Sequence, residues 1–276
     1  MRKSTVWTCL LTFIILLALS VPLVWAEEKD YSNEPWERAA LYLGAFFVDA
    51  DTDLKLGGGG LDVNVDGEEI LGLDETYTAF RGDLFWRITR RNRIDFTYYY
   101  LHRDGSEALV VDIPDQDGGT IPIGQAVKTK FDLDILRGSY AWSFFKDERF
   151  DLGIAAGLYG LKVDFEFETE GVVGGTREKT DFAFPLPVIG LRGHFALTEK
   201  WFIRQSFDFF YVKIDDYEGT LVDFLASVEW NALKYLGLGV GYNYVMLNLE
   251  YDGSDDFLSE FDLRYGGLLA YAKIYF

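Results

Sequence analysis

Residues 80–101 read FRGDLFWRITRRNRIDFTYYYL, and the fold is decided here. Phe80, Leu84, Trp86 and Ile88 fall on one phase of a two-residue period, while Arg81, Asp83 and Arg87 fall on the other. That alternation belongs to a strand with two unlike faces. A short basic turn, Arg90 to Arg93, separates it from a second run, Ile94 to Leu101. Two such runs around a few turn residues predict a β-hairpin.

Outward from this hairpin the same unit recurs, with further tight turns at Lys146 to Arg149, Thr198 to Lys200 and Asn231 to Lys234. Longer polar stretches alternate with the turns, at Asp49 to Glu75, Asp104 to Gln125, Glu166 to Thr180, Asp215 to Gly219 and Tyr251 to Glu260. The segments between predict strands near 37–48, 76–89, 93–103, 127–145, 149–165, 181–197, 201–214, 220–230, 235–249 and 261–276. An even count near ten, with eight and twelve as neighbouring possibilities, puts both ends on one side.

Composition selects the surroundings. Met1-Arg2-Lys3, an apolar run from Cys9 to Leu19 and the small-x-small site Val24-Trp25-Ala26 have the order of a secretory signal peptide, residues 1–26, leaving 27–276 as the mature domain. Cys9 is the one cysteine of the chain and leaves with that leader, so disulfides hold nothing. Apolar types make up 49% of residues and aromatics 17%, yet no later run approaches the roughly 18 apolar residues of a spanning helix. The other structure that satisfies its backbone in lipid is a closed antiparallel β-barrel, an all-β fold.

The chain ends in Leu268-Leu269-Ala270-Tyr271-Ala272-Lys273-Ile274-Tyr275-Phe276. Leu268, Ala270, Ala272, Ile274 and Phe276 share a face, and here the chain resembles small Gram-negative outer-membrane β-barrel proteins of the OmpA/OmpW-like class. It departs from the OmpA-like pattern in having no periplasmic peptidoglycan-binding domain after the barrel. The resemblance implies insertion into the cell outer membrane by the barrel assembly machinery, which reads Ile274 and Phe276, and contact with outer-membrane lipids and lipopolysaccharide. It also implies periplasmic short turns and termini, with long loops outside. Charge fits that orientation, because the four turns hold seven basic and three acidic residues while Asp49 to Glu75 holds nine acids and one base. Trp36, Trp86, Trp142, Trp201 and Trp230 all fall near the turns or the N-terminus and read as one interfacial girdle.

The polar phase of each strand should face the lumen. Ile203, Phe207 and Phe209 oppose Arg204, Ser206 and Asp208; Val222, Phe224, Val228 and Trp230 oppose Asp223, Ser227 and Glu229. An ionic filling is expected from Arg81, Asp83, Arg87, Asp95, Asp132, Asp134, Arg192, His194, Arg204, Asp208, Asp223 and Glu229. A barrel of about ten strands is little wider than one whose lumen side chains can fill, so poor conductance is expected. Leu133 and Ile135 are out of step with Tyr140 and Trp142, which suggests a bulge.

The net charge of −19 becomes −21 once Arg2 and Lys3 leave with the leader, which disfavours nucleic acid as a partner. Acidic external loops attract cations or basic peptides, although a solvated surface explains them as well. Asp62-Val63-Asn64-Val65-Asp66-Gly67 matches the first half of a calcium loop through Asp62, Asn64 and Asp66. Leu73 then stands where the bidentate glutamate belongs, so an ordinary polar hairpin competes with a calcium site. No other cofactor is expected. Pro185 and Pro187 lack the N–H a barrel wall needs; either the strand ends there or the wall has a lateral seam. His102, with Asp104 and Ser106 nearby, is where a lipid-modifying or protease-like site would be built. Three roles follow: a structural or interaction barrel displaying acidic loops, a lipid A-modifying or protease-like barrel enzyme, and a narrow transport barrel. The sequence favours them in that order and is silent on oligomeric state.

Overall fold

The structure, a computed structural model, describes residues 36–58, 61–114, 120–169, 177–214, 217–251 and 258–276. The leader expected over 1–26 lies outside them. The strands are β1 (Ala39–Gly58), β2 (Leu61–Asp66), β3 (Thr76–Arg87), β4 (Asn92–Ala108), β5 (Ile113–Pro114), β6 (Thr120–Ile121), β7 (Ala126–Lys146), β8 (Phe150–Thr169), β9 (Arg177–Ala196), β10 (Trp201–Ile214), β11 (Tyr217–Trp230), β12 (Leu236–Tyr251) and β13 (Leu258–Tyr275). Ten of them pair in the ring β1-β3-β4-β7-β8-β9-β10-β11-β12-β13. Antiparallel pairing of β13 with β1, from Ala40↔Tyr275 to Leu56↔Leu258, closes it.

The fold is thus a closed antiparallel ten-stranded β-barrel. Local side chains set three of its four tight turns, the first through the Asn92 N–H on Thr89 Oγ1 (3.2 Å). The Asp147 carboxylate accepts the N–H groups of Arg149 and Phe150, and the Thr198 hydroxyl accepts those of Lys200 and Trp201, the Asx and Ser/Thr turn chemistry that reverses a chain in a few residues.

β1, β4, β8 and β9 run past their expected outer ends, whereas β3, β7 and β10 keep the expected bounds to within two residues. β7 has 21 residues and β1, β8 and β9 have 20 each. A tilted membrane strand needs only about 9–11 residues, so these strands are about twice as long as a crossing requires. Much of what composition marks as external loop, including Asp49 to Asp53 and Glu166 to Glu168, is continuing barrel wall.

Sidedness persists along the strands, apart from register shifts at Lys55/Leu56 and Ser143/Phe145, while polarity changes. In the half next to the tight turns, Phe80, Leu84, Trp86, Phe96, Leu136, Ile154, Leu191 and Phe207 are exposed on the outer wall. Beyond it the outward positions become Asp49, Asp51 and Asp53 on β1, Lys128, Lys130, Asp132 and Asp134 on β7, and Lys162, Asp164 and Glu168 on β8. The inward positions change the other way. Arg81, Asp83, Arg137 and Asp208 are buried in the first half; Leu101, Phe131, Leu133, Ile135, Val163, Leu247 and Leu263 are buried in the second.

This overturns two expectations. β7 pairs with β4 and β8 without interruption through Leu133 to Trp142, and its irregularity lies at Ser143/Phe145. No bulge is needed, because Leu133 and Ile135 point inward on the same phase as Arg137 and Ser139. Asp132 and Asp134 consequently face outward rather than into the lumen; they accept hydrogen bonds from Tyr100 (2.8 Å) and Tyr98 (3.0 Å) on the outer wall.

A partial roof packs on the outer end of the core. The segment between β4 and β7 folds back through the small β5–β6 hairpin, burying Leu109, Ile113 and Ile121. Residues 67–75 lie against the upper part of β4, with Leu73 bridging Gly105. Gly72 adopts φ +68°, and a Cβ on Gly105 would stand 2.6 Å from the Gly72 and Leu71 carbonyl oxygens, so both positions require glycine. Buried Arg103 staples this segment down: it donates to the Asp74 carbonyl (2.8 Å) and Thr52 Oγ1 (2.7 Å) and pairs with Glu68.

Candidate functional site: a doubly filled lumen

In the lower half, strands from all around the ring send ionic side chains to one axis. Arg137 is the hub. Its Nη1 lies 2.7 Å from Asp208 and 3.2 Å from Asp223, and Nη2 donates to Thr97 Oγ1 at 2.8 Å. Thr97 in turn donates to Asp83 (2.7 Å), which pairs with Arg81 at 3.0 Å. Asn243 donates to Asp223 at 2.7 Å, and Arg192 reaches Asp208 at 2.9 Å. Gly190 makes room for that last contact, since a Cβ there would stand 2.2 Å from the Asp208 carboxylate.

Below this layer Arg93 pairs with Asp95 (3.0 Å) and donates to His194 Nε2 (2.9 Å), which makes His194 a neutral acceptor. Arg87 and Lys146 share Asp151. Lys273 bridges Glu229 (2.7 Å) and Glu37 (2.6 Å), and Arg204 lies 3.3 Å from Glu229 with its guanidinium over the Tyr42 ring. The interior residues expected from alternation therefore meet in two clusters, one around Arg137 and one running from Asp151 through Glu37 and Lys273 to Glu229, with Asp132 and Asp134 the exceptions. Alternation passed over Arg93, Arg137, Asn243 and Lys273. For Arg137 the signal was present, because it shares the phase of Ser139 and Ile135, but a supposed bulge hid it.

A small cavity among these side chains, lined by Asp83, Asp95, Arg204 and Ser206 together with Phe85 and Leu225, has room for about one water molecule. Arg204 Nε and Nη2 and Ser206 Oγ have no hydrogen-bond partner among the described residues and border that cavity. Trp36 departs from the girdle expected of it. Trp86, Trp142, Trp201 and Trp230 are exposed on the outer wall. Trp36 instead tucks into the lower mouth, edge-on to His194 and Phe202, with its indole N–H on the Asp147 carbonyl (2.6 Å).

A tyrosine belt separates the two fillings. The hydroxyl of Tyr99 meets those of Tyr159 (2.9 Å) and Tyr265, and the Tyr99 ring carries the Arg81 guanidinium at 5.0 Å. Above the belt the lumen is mainly an apolar core, interrupted by the buried Arg103 with Glu68 and Thr52, and each fully buried aliphatic or phenyl side chain there contributes on the order of 1.5–3 kcal/mol.

The remaining candidates lie on the wall. His102 faces outward with Asp132 at Nδ1 and Asp104 3.1 Å from Nε2. The hydrogen bond that the ring donates to the Asp132 carboxylate, reinforced by both carboxylate charges, holds the His102 pKa above the ordinary imidazole range. Ser106, four residues along the strand and so about 13 Å away, is not brought to the histidine. Asn64 and Asp66 lie on β2 across from Lys55 and Asp53, and the Asp66 carboxylate accepts the N–H groups of Glu68 (3.0 Å) and Glu69 (2.7 Å). Asp62 is in the same strand, opposite Gly57, with its side chain outside the described ones. Pro185 and Pro187 are in β9, opposite Gly160 and Leu158 of β8. Ile274 and Phe276 are exposed on the outer wall.

No protein-family model and no curated protein matches the chain. Solved structures do. The outer-membrane protease OmpT from Escherichia coli superposes with a TM-score of 0.52 at 11% identity, over 86% of this chain and 96% of that one. The translocator domain of the autotransporter NalP from Neisseria meningitidis gives 0.51 at 11% identity, over 99% of this chain and 98% of that one. At such identity the likeness is one of fold, and the chain has the fold of the bacterial outer-membrane β-barrels.

Proposed function

We propose that the protein is a non-conducting outer-membrane barrel whose role is structural and interactive: it anchors an acidic, water-exposed barrel extension at the cell surface. The observation that carries this reading is the double filling. An ion crossing the lower half would have to displace Arg137 from two aspartates, and in the upper half it would have to enter an apolar core under the β5–β6 roof. Either layer is a barrier, and desolvating an ion in the second is the costlier step. The projecting wall carries Asp49, Asp51 and Asp53 beside Asp262 and Asp66, a negative surface suited to cationic or basic partners.

The same reading places the short turns and both ends of the barrel in the periplasm. The assembly machinery engages Ile274 and Phe276, and the girdle tryptophans sit at the inner interface. Purified protein reconstituted into planar bilayers tests it. Flat current traces are expected across the voltage range in which the bilayer itself is stable. Reproducible single-channel steps from the folded, heat-modifiable species would overturn it.

A further inference from the structure

Two ladders of the wall stop early. The β3–β4 ladder ends at Arg81↔Tyr99, and residues 67–75 fill the space above it. The β9–β10 ladder ends at Ile189↔Phe209. Beyond that point β9 continues to Arg177 paired with β8, and β10 continues to Ile214 paired with β11.

The prolines sit on this seam. Ala196 N–H donates to the Arg149 carbonyl on the β8 side, whereas Leu197 N–H donates to Trp201 on the β10 side. Because successive N–H groups alternate direction along a strand, the odd-numbered residues of β9 address β10. Pro185 and Pro187 are odd-numbered and have no N–H to offer. The sequence has thus removed the two donors that would otherwise be orphaned at an open sheet edge, a group that hydrocarbon penalises heavily.

The seam starts within the lipid-facing band. The outward residues where the ladder ends are Ile189 and Phe209, followed by Pro187 and Tyr211; charge begins only at Lys213 on β10 and Lys162 on β8. Behind the edge the inward side chains are Leu186, Val188 and Phe210, which are part of the apolar core of the upper lumen. The described edges therefore lead from hydrocarbon to an apolar interior with no charged side chain between.

We propose that this seam is a lipid site, in which one acyl chain of the surrounding membrane enters between Pro187 and Tyr211 and lies against Leu186, Val188 and Phe210. The site is lateral and independent of the closed axis, so it goes beyond the non-conducting role. Its ligand class follows from the inward side chains behind the seam, Leu186, Val188 and Phe210, which are all apolar and fit a hydrocarbon tail whose headgroup stays at the level of Lys162 and Lys213.

Photo-cross-linking in vesicles of one defined phospholipid tests it. p-Benzoylphenylalanine would replace Phe209 (outward), Phe210 (inward at the seam) or Phe131 (inward on β7) in separate proteins, each checked for folding by its mobility without heating. The expected result is a phospholipid-mass adduct at positions 209 and 210 and none at 131. Pro185→Val with Pro187→Ile, which restores both donors and lets the ladder extend, should reduce the adduct at 210 at least fivefold and leave that at 209. An adduct at 209 without one at 210 would overturn the proposal, as would labelling of 131 equal to that of 210. An undiminished adduct at 210 in a folded double variant would overturn the seam as the route. If the double variant does not fold, the comparison of 209, 210 and 131 decides alone.

Discussion

Below the tyrosine belt most ionic side chains point inward and the outward wall is apolar; above it, Arg103 apart, the two roles are exchanged. On β7 the backbone pairs continuously across the belt, and the inward phase passes from Ser139 and Arg137 to Ile135 and Leu133 without a break. The solvent alone differs. Hydrocarbon around the lower half forces polar groups inside, while water around the upper half permits the ordinary arrangement of apolar core and charged exterior. The comparison teaches that one barrel can be two proteins in energetic terms, a membrane protein stapled by ion pairs and a water-facing barrel held by burial.

The largest test of that contrast is Arg137→Ala. It leaves Asp208 and Asp223 facing each other in a site from which water is largely excluded, and breaking a buried pair costs about 3–5 kcal/mol. A urea midpoint measured in lipid vesicles should fall accordingly. Combining Arg137→Met with Asp208→Asn and Asp223→Asn should recover much of the loss; a triple variant no better than Arg137→Ala would mean that the lower half depends on shape rather than charge. In the upper half, Leu133→Ala should cost roughly 2–5 kcal/mol through its cavity, and this loss should be insensitive to salt. Salt dependence there would break the contrast.

The outer wall gives a smaller, two-sided test. Leu191→Arg puts a cation on the lipid face of the lower half and should cost about 2–4 kcal/mol near mid-depth. Lys130→Leu, on the outward face of the upper half, should stay within about 0.5 kcal/mol, as surface substitutions do. Equal costs at the two sites would mean that the charged wall also lies in lipid.

The same exchange explains what was legible in the sequence. The Phe80–Leu101 hairpin and the β10 and β11 phases could be read because they lie mainly in the lower half, where polar means inside. On β7 that rule fails midway: it assigned Asp132 and Asp134 to the lumen and turned Leu133 and Ile135 into a bulge. The acids from Asp49 to Asp53 read as loop because their inward partners, Val48, Ala50, Thr52 and Leu54, form an apolar phase that a composition count does not see. Trp36 was misplaced for another reason. Indole suits an interface or a packed mouth equally, and only the position of Asp147 and His194 in space decides between them. The seam needed the register itself, since two prolines alone do not say which neighbour they address.

The smallest effect concerns His102, which stands on the water-facing side of the exchange. Both of its ring nitrogens meet carboxylates, so protonation is favoured in the folded protein over the unfolded chain. A folded pKa above the unfolded one gives stability that is fully present below the unfolded value, about 6.5, and is lost as pH rises through the folded value. Its side chain is 45% exposed, so solvent screens the pair and the gain should be slight. The clearer readout is the titration itself: the imidazole resonances of His102 should shift at a pH above the ordinary histidine range, and Asp132→Asn should bring that midpoint down more than Asp104→Asn does, because the Asp132 hydrogen bond is the leading cause. A midpoint at or below the ordinary value, or one unmoved by Asp132→Asn, would place this stretch of β4 in lipid, where a charged imidazolium is disfavoured, and would move the boundary between the two halves outward.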